Sequence, residues 1–129
     1  MLVRGQLVGL RELRPDDVGE RYLAWMRDPG VIQYLESRFT EQTLDTLREF
    51  VCGASARVDT LLLAIIELAT EGHVGNIKVG PVNPHHRTAD VGLLIGERGV
   101  WGRGYATEAI RLATPVSVSY THLRAHETG

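Results

Sequence analysis

The sequence predicts an α/β chain of the α+β kind, a sheet covered by helices. Three stretches carry that expectation. Thr60 to Leu68 is apolar on both alternating faces apart from Glu67, the pattern of a central strand covered on both sides. Val18, Tyr22, Trp25 and Met26 fall at i, i+4, i+7 and i+8, one face of a helix. Ala89 to Leu112 passes from an apolar segment of strand length, Val91 to Ile95, through glycines at 96, 99, 102 and 104 into helix formers from Tyr105.

The elements follow in order. Gln6 to Leu13 reads as a strand with no purely polar face. Pro15 opens a helix, with Asp16 and Asp17 favoured in its first turn, and Asp28-Pro29-Gly30 closes it because the residue before proline leaves the α region. Val31 to Phe39 is a connector with a helical turn near Ile32 to Leu35. Thr40 is then the expected cap of a second helix running through Cys52. Its expected buried stripe is Leu44, Leu47, Phe50 and Val51, and Gly53-Ala54-Ser55 releases it. The central strand at 60–68 turns at Thr70-Glu71-Gly72 into a second strand, His73 to Val82, as a hairpin. A polar loop, Asn83 to Arg87, leads to the strand Thr88 to Ile95, the glycine loop and a last helix. Residues 115–129 have no helical stripe. They are expected to stand apart as a tail of the kind that adapter read-through leaves, with 1–114 as a single partial domain.

Composition narrows the class. At 129 residues the chain is one domain by length, and 43% apolar with 23% charged residues is ordinary for a globular protein. A net charge of −2 offers no electrostatic case for nucleic acid or an anionic membrane. The longest apolar run, Leu61 to Ile66, is too short to span a bilayer. The single cysteine, Cys52, excludes an internal disulfide, fits a reducing, cytoplasmic setting and reads as a small buried hydrophobe. No metal site is expected: His85 and His86 are adjacent with no cysteine or well-spaced carboxylate, and His122 and His126 lie in the tail.

Strand, glycine-rich turn and helix start, in that order, present unpaired backbone N–H groups to an anion. A Walker loop is excluded because Tyr105 follows the last glycine where Lys is required. A dinucleotide fingerprint is excluded because Thr107 stands where a third small residue is needed. Trp101-Gly102-Arg103-Gly104-Tyr105-Ala106-Thr107-Glu108-Ala109 resembles the acetyl-CoA loop of the GCN5-related N-acetyltransferases, in the manner of their RimJ/RimL branch. Gly102 and Gly104 fit that loop, whereas position 99 is Gly in place of Gln or Arg, with Arg98 one residue early. The resemblance implies a mixed, mostly antiparallel sheet flanked by helices, in the order strand, helix, helix, three strands, helix, with later elements missing.

The resemblance also implies roles. Acetyl-CoA is the cosubstrate, its pantetheine arm along Leu93, Leu94 and Ile95 and its pyrophosphate on the amides between Trp101 and Ala106, that is Trp101, Gly102, Arg103, Gly104, Tyr105 and Ala106. Arg103 adds charge, and an amide near Leu94 polarises the thioester carbonyl. A protonated amine needs a base, and the candidates are Asp90, Glu97 and Glu67, with Asp90 preferred. Asn76 and Tyr34 are candidate contacts to the acceptor, alongside Glu36 and Arg38. The expected function is direct acetyl transfer to a primary amine, on a protein N-terminus or a small molecule, by a monomer or homodimer, with weak or no turnover in this chain. A CoA-binding module without chemistry, or an interaction domain whose glycines only make a turn, are the alternatives.

Overall fold

The computed structural model describes residues 3–33, 42–57, 59–83 and 88–114, with side chains described outside 81–90. Five strands form one sheet in sequence order: β1 (Val3–Arg4), β2 (Val8–Glu12), β3 (Leu61–Glu67), β4 (Gly72–Asn83) and β5 (Thr88–Ile95). All four pairings are antiparallel, so the mixed character expected of the sheet is not seen among the described strands. The short β1 was not legible in the sequence. It exists because Gly5 turns the chain back on β2, and its pairing covers only Val3 and Arg4.

Between β2 and β3 lie α1 (Glu20–Met26), α2 (Pro29–Ile32) and α3 (Leu44–Ala56). The single first helix expected from Pro15 is divided. Pro15–Asp17 is a separate 3-10 turn in which Arg14 N donates to Asp17 Oδ2 at 2.8 Å, and an extended Gly19 precedes α1. Asp28-Pro29 ends α1 but also begins α2, because the Asp28 carboxylate accepts from Gly30 N at 3.0 Å and proline suits a first helical position. Thr43, not Thr40, caps α3: Thr46 N donates to Thr43 Oγ1 at 3.2 Å and Thr43 N returns the bond to Thr46 Oγ1 at 2.8 Å. Thr40 lies outside the described residues. Gly53 does not release α3, since one mid-helix glycine costs only about 1 kcal/mol and Ala54 beyond it is buried.

Every residue of β3 is buried, as its two apolar faces require. Leu62, Ala64 and Ile66 pack beneath α1, α2 and α3 with Tyr22, Trp25, Leu47 and Leu94. Leu61, Leu63 and Ile65 join Ile77 and Val79 on the opposite face, under a helix over residues 105–114, α4. Tyr105, Ala109 and Ala113 are its inward stripe at four-residue spacing. Two expected buried residues are not: Phe50 is 44% exposed and Cys52 lies on the outer face of α3, because the helical stripe passes through Leu47, Val51 and Ala54 instead.

Two polar ties fix α4 to the sheet. The Glu108 carboxylate accepts from Gln6 N and, at 2.9 Å, from Leu7 N in the turn between β1 and β2. The Tyr105 hydroxyl donates to Glu67 Oε2 at 2.6 Å. A bulge in β4 shapes the other face. Ile65 pairs with Gly75 but Ile66 with His73, so Val74 is an extra residue. Without it, alternation would send His73 and Asn76 to opposite faces; with it, both side chains meet under the helices.

Candidate functional site

The glycine loop closes on itself through its own side chains. Residues 98–100 make a 3-10 turn, and the Trp101 indole N–H donates back to Ile95 O at 2.9 Å. Arg98 lies 5.2 Å over the Trp101 ring and grips Asp28 through two donors, Nε at 2.8 Å and Nη2. The Arg98 guanidinium holds the Asp28 carboxyl below its ordinary range. Arg98 is therefore a strut between the loop and α2. Gly96 lies so close to Trp25 that a Cβ there would meet Cδ2 at 2.0 Å.

Beyond Trp101 the backbone takes positive φ twice, 81° at Gly102 and 83° at Gly104, which glycine alone adopts without strain. The first α4 bond runs from Glu108 N to Gly104 O, so the amides of Tyr105, Ala106 and Thr107 precede the helical ladder and have no intrahelical acceptor. They border a cavity of about 390 Å³ whose walls include Trp101, Gly102, Gly104, Ala106 and, from the α2 side, Gly30. Trp101 and Arg103 are exposed at this cavity's end of the molecule. The Tyr105 side chain is buried and committed to Glu67, so only its backbone faces an anion.

A second cavity, of about 320 Å³, lies on the helix side of the sheet between α1, α3 and the paired strands β4 and β5. Leu94 and Gly92 from β5, and their partners Asn76 and Lys78 from β4, form its floor. Leu93 also lines it, but the Leu93 and Ile95 side chains pack with the α4 layer. Asn76 is 5% exposed, and its Nδ2 has no hydrogen-bond partner among the described residues. Its Oδ1 is fixed by His73 Nε2 at 2.7 Å, which therefore carries a proton in this arrangement. Burial pushes the Tyr22 phenol up to about 12, and Asn76 beside it opposes that rise.

The His73 ring stacks edge-on to Trp25 at 5.0 Å and to Tyr22 at 6.5 Å. Burial lowers its imidazole below 6.5, outweighing the bond to Asn76. The unfolded chain thus binds a proton at this ring before the folded chain does. The stability held by the neutral ring is complete above pH 6.5 and is lost as pH falls through the lower, folded value. His73→Gln is expected to melt earlier than the parent near neutrality, yet with a shallower decline in Tm between about pH 7.5 and 5.5. Parallel Tm–pH lines for the two proteins, followed by circular dichroism, would refute this linkage.

Of the candidate bases, two are occupied. Glu67 receives Tyr105 and, at 2.7 Å, Thr70, and these bonds lower its pKa, Tyr105 foremost. Glu97 Oε1 accepts from Trp25 Nε1 at 3.1 Å and pairs with Arg21 at 3.4 Å. Asp90 lies in β5, where the ladder with β4 is irregular between Val79 and Val82; its side chain falls outside the described set. Tyr34 lies outside the described residues altogether, as do Glu36 and Arg38. The sequence reading missed Lys78, which lines this cavity, and His73, which bonds the Asn76 side chain. Pairing 76 and 78 with 94 and 92 across a hairpin would have found Lys78, whereas the bulge that turns His73 inward leaves no signal in the residue pattern.

A family model described as Acetyltransferase (GNAT) domain matches residues 8–127. The chain belongs to that family. Its members are acetyltransferases that use acetyl-CoA. The match runs through residue 127 and so takes in most of the segment set apart as a tail, which lies outside the described residues. No curated protein matches the chain. Among solved structures, a GNAT-family acetyltransferase from Bacillus anthracis is 20% identical at a TM-score of 0.69, over 86% of this chain and 62% of its own. Spermidine N-acetyltransferase from Vibrio cholerae, solved with CoA and spermine, is 20% identical at a TM-score of 0.71, over 88% of this chain and 64% of its own. A domain from Methanocaldococcus jannaschii is 19% identical at a TM-score of 0.60, over 81% of this chain and 65% of its own. These likenesses establish the fold. The chain spans about three-fifths of the length of the solved relatives, with coverage of 62% to 64% in the first three. No helix among the described residues is long and apolar enough to cross a membrane.

Proposed function

We propose that this chain carries the acetyl-CoA site of an N-acetyltransferase, of the RimJ/RimL-like branch, that transfers acetyl directly to a primary amine in the cytoplasm. The observation that supports it most is the pair of positive-φ glycines, 102 and 104, which open the start of α4 onto a cavity beside the end of β5. Free amides there match a diphosphate, since oriented N–H groups and a helix N-terminus both favour anions. Arg103, exposed in the same loop with its side chain near the Tyr105 hydroxyl and Glu67, adds a positive charge to this end of the molecule. Leu93 to Ile95 lie on β5, the last strand of the described sheet, where an extended arm could align along the backbone.

Acetyl-CoA supplies the activated acetyl thioester. In the transfer, the amine nitrogen bonds to the carbonyl carbon and the carbon–sulfur bond breaks; the nitrogen gives up a proton and the departing thiolate takes one. An amide near Leu94 is the proposed donor to the carbonyl oxygen, where negative charge develops. Leu93 and Ile95 turn their N–H groups to the open side of β5, since Gly96 N, two residues beyond Leu94, donates to Val74 O of β4. Asn76, opposite Leu94 in the β4–β5 ladder, borders the space the amine would occupy, with Tyr34 as its further contact. Asp90 is the proposed base, because Glu67 and Glu97 are engaged elsewhere. That engagement also favours one competing reading, a chain that binds CoA without turning it over.

Titration calorimetry with CoA tests the site itself. Saturable binding at one site, weakened when ADP competes for the diphosphate contacts, is the expected result; heat that never saturates would end the proposal. Release of free thiol from acetyl-CoA, assayed with a panel of amines on a chain extended to the length of its relatives, separates transfer from mere binding.

A further inference from the structure

The cavity on the helix side of the sheet has a polarity of its own. Its walls are mainly apolar, with Met26, Leu47, Phe50 and Leu62 prominent. Two polar groups on its β4 floor are donors. Asn76 Nδ2 is buried, lies beside the Tyr22 phenol without closing a hydrogen bond of ordinary geometry among the described residues, and has its direction fixed by His73, which holds Oδ1. Two residues on along the same strand face, Lys78 places its ammonium 5.6 Å from the centroid of the Phe50 ring and makes no ion pair with any described residue. Gly92, opposite Lys78, brings no side chain into the space between them. No carboxylate lines this cavity among the described residues.

We propose that this cavity takes an amine that also bears a carboxylate on an apolar frame, an apolar α-amino acid or a close analogue. Asn76 Nδ2 and the Lys78 ammonium are its carboxylate-binding donors, and Lys78 sets the specificity. The inference rests on the amine-acceptor reading above and names its substrate class. Side chains two apart on one strand face stand about 7 Å from each other, so a carboxylate between them can accept from both. An α-amino group, one carbon from that carboxylate, then lies toward Leu94, next to Asn76 in the ladder. The apolar side chain fills the space among Met26, Leu47 and Phe50. A polycation placed in the same cavity would meet the Lys78 ammonium and an amide donor, neither of which it can satisfy, with only the neutral Tyr22 and Gln42 side chains of the cavity wall to accept from it among the described residues.

The test uses the chain as it stands, loaded with CoA, and four probes: L-leucine, isoamylamine, 4-methylpentanoate and spermidine. Binding is read by ligand-observed NMR. L-leucine is expected to bind about tenfold more tightly than isoamylamine or spermidine, the worth of one charge-assisted contact, with 4-methylpentanoate between them. In Lys78→Met, which keeps the apolar stem, the preference for L-leucine over isoamylamine should collapse to about threefold or less; Lys78→Arg should restore most of it. Circular dichroism of the variants reports on folding, and Lys78→Gln, which also removes the charge, carries the comparison if Lys78→Met unfolds. Spermidine or isoamylamine binding as tightly as L-leucine overturns the proposal, as does an unchanged preference in Lys78→Met. L-leucine failing to bind while CoA still binds refutes the amino-acid pocket alone. Failure of CoA itself to bind refutes the acetyl-CoA reading instead, and L-leucine binding to the unloaded chain then still decides this pocket.

Discussion

Gly75→Ala is expected to lose about 3 kcal/mol or more of folding stability, a fall in Tm of roughly 10 °C. A methyl group at this position would stand 2.1 Å from the Leu94 carbonyl oxygen and 3.1 Å from Ile95 Cα. Both are backbone atoms of β5, so no side-chain rotation relieves the contact. β5 cannot swing aside cheaply, because Gly96 N donates to Val74 O at 2.8 Å just past the clash. β4 cannot retreat either, since its other edge pairs with β3 through Ile65 and Gly75. The position matters to the site as well as to the fold: Gly75 adjoins the bulge that turns His73 and Asn76 together, and it faces the strand segment proposed to hold the donor thioester. Gly53→Ala is the matched control. It lies within α3 with nothing inside 4 Å of the added carbon, and alanine there should stabilise by about 0.5–1 kcal/mol. A thermal melt of Gly75→Ala that overlays the parent would mean that the β4–β5 register is wrong.

The contrast between those two glycines also marks what could be read from the sequence. Regular periodicity was legible: β3, β5 and the stripe Tyr22, Trp25 and Met26 lie where alternation and helical spacing put them, whereas Val18 is buried but extended, outside α1. The glycine loop was legible because its residue types are tied to backbone conformations that few others adopt. Capping was harder, since two threonines three residues apart, Thr40 and Thr43, are equally good caps on paper. Proline carried two meanings at once, ending α1 while starting α2. Commitments between distant side chains left no local trace. Glu67 and Glu97 looked like free carboxylates until Tyr105 and Trp25 were placed against them, 38 and 72 residues away in sequence. The single extra residue at Val74 is the same kind of case. It reverses the facing of His73, and nothing in the order of residues around it differs from an ordinary strand.

The loop offers the sharper functional test. In the double variant Gly102→Val, Gly104→Val, affinity for CoA is expected to fall by about 100-fold or more, the loss of two or so amide–phosphate contacts. The cause would be conformation, not crowding. A Cβ at Gly102 meets nothing within 4 Å, and at Gly104 it reaches only Leu7 Cδ1 at 3.9 Å. Yet φ near +80° is strained for a β-branched residue by about 1–2 kcal/mol at each position. The loop would relax toward negative φ and rotate the amides away from the cavity. The fold should survive this, because α4 is tied down from the far side of the loop, by Tyr105 to Glu67 and by Glu108 to the turn after β1. Gly99→Ala separates the two effects. That residue lies in the same loop, at the position where a Gln or Arg was expected, and its added carbon meets nothing. CoA affinity there should stay within about twofold of the parent. Calorimetry on the three proteins, with circular dichroism to report folding, decides between a phosphate cradle and a turn. A double variant that folds and binds CoA like the parent leaves the amides at the start of α4 with no part in holding the coenzyme.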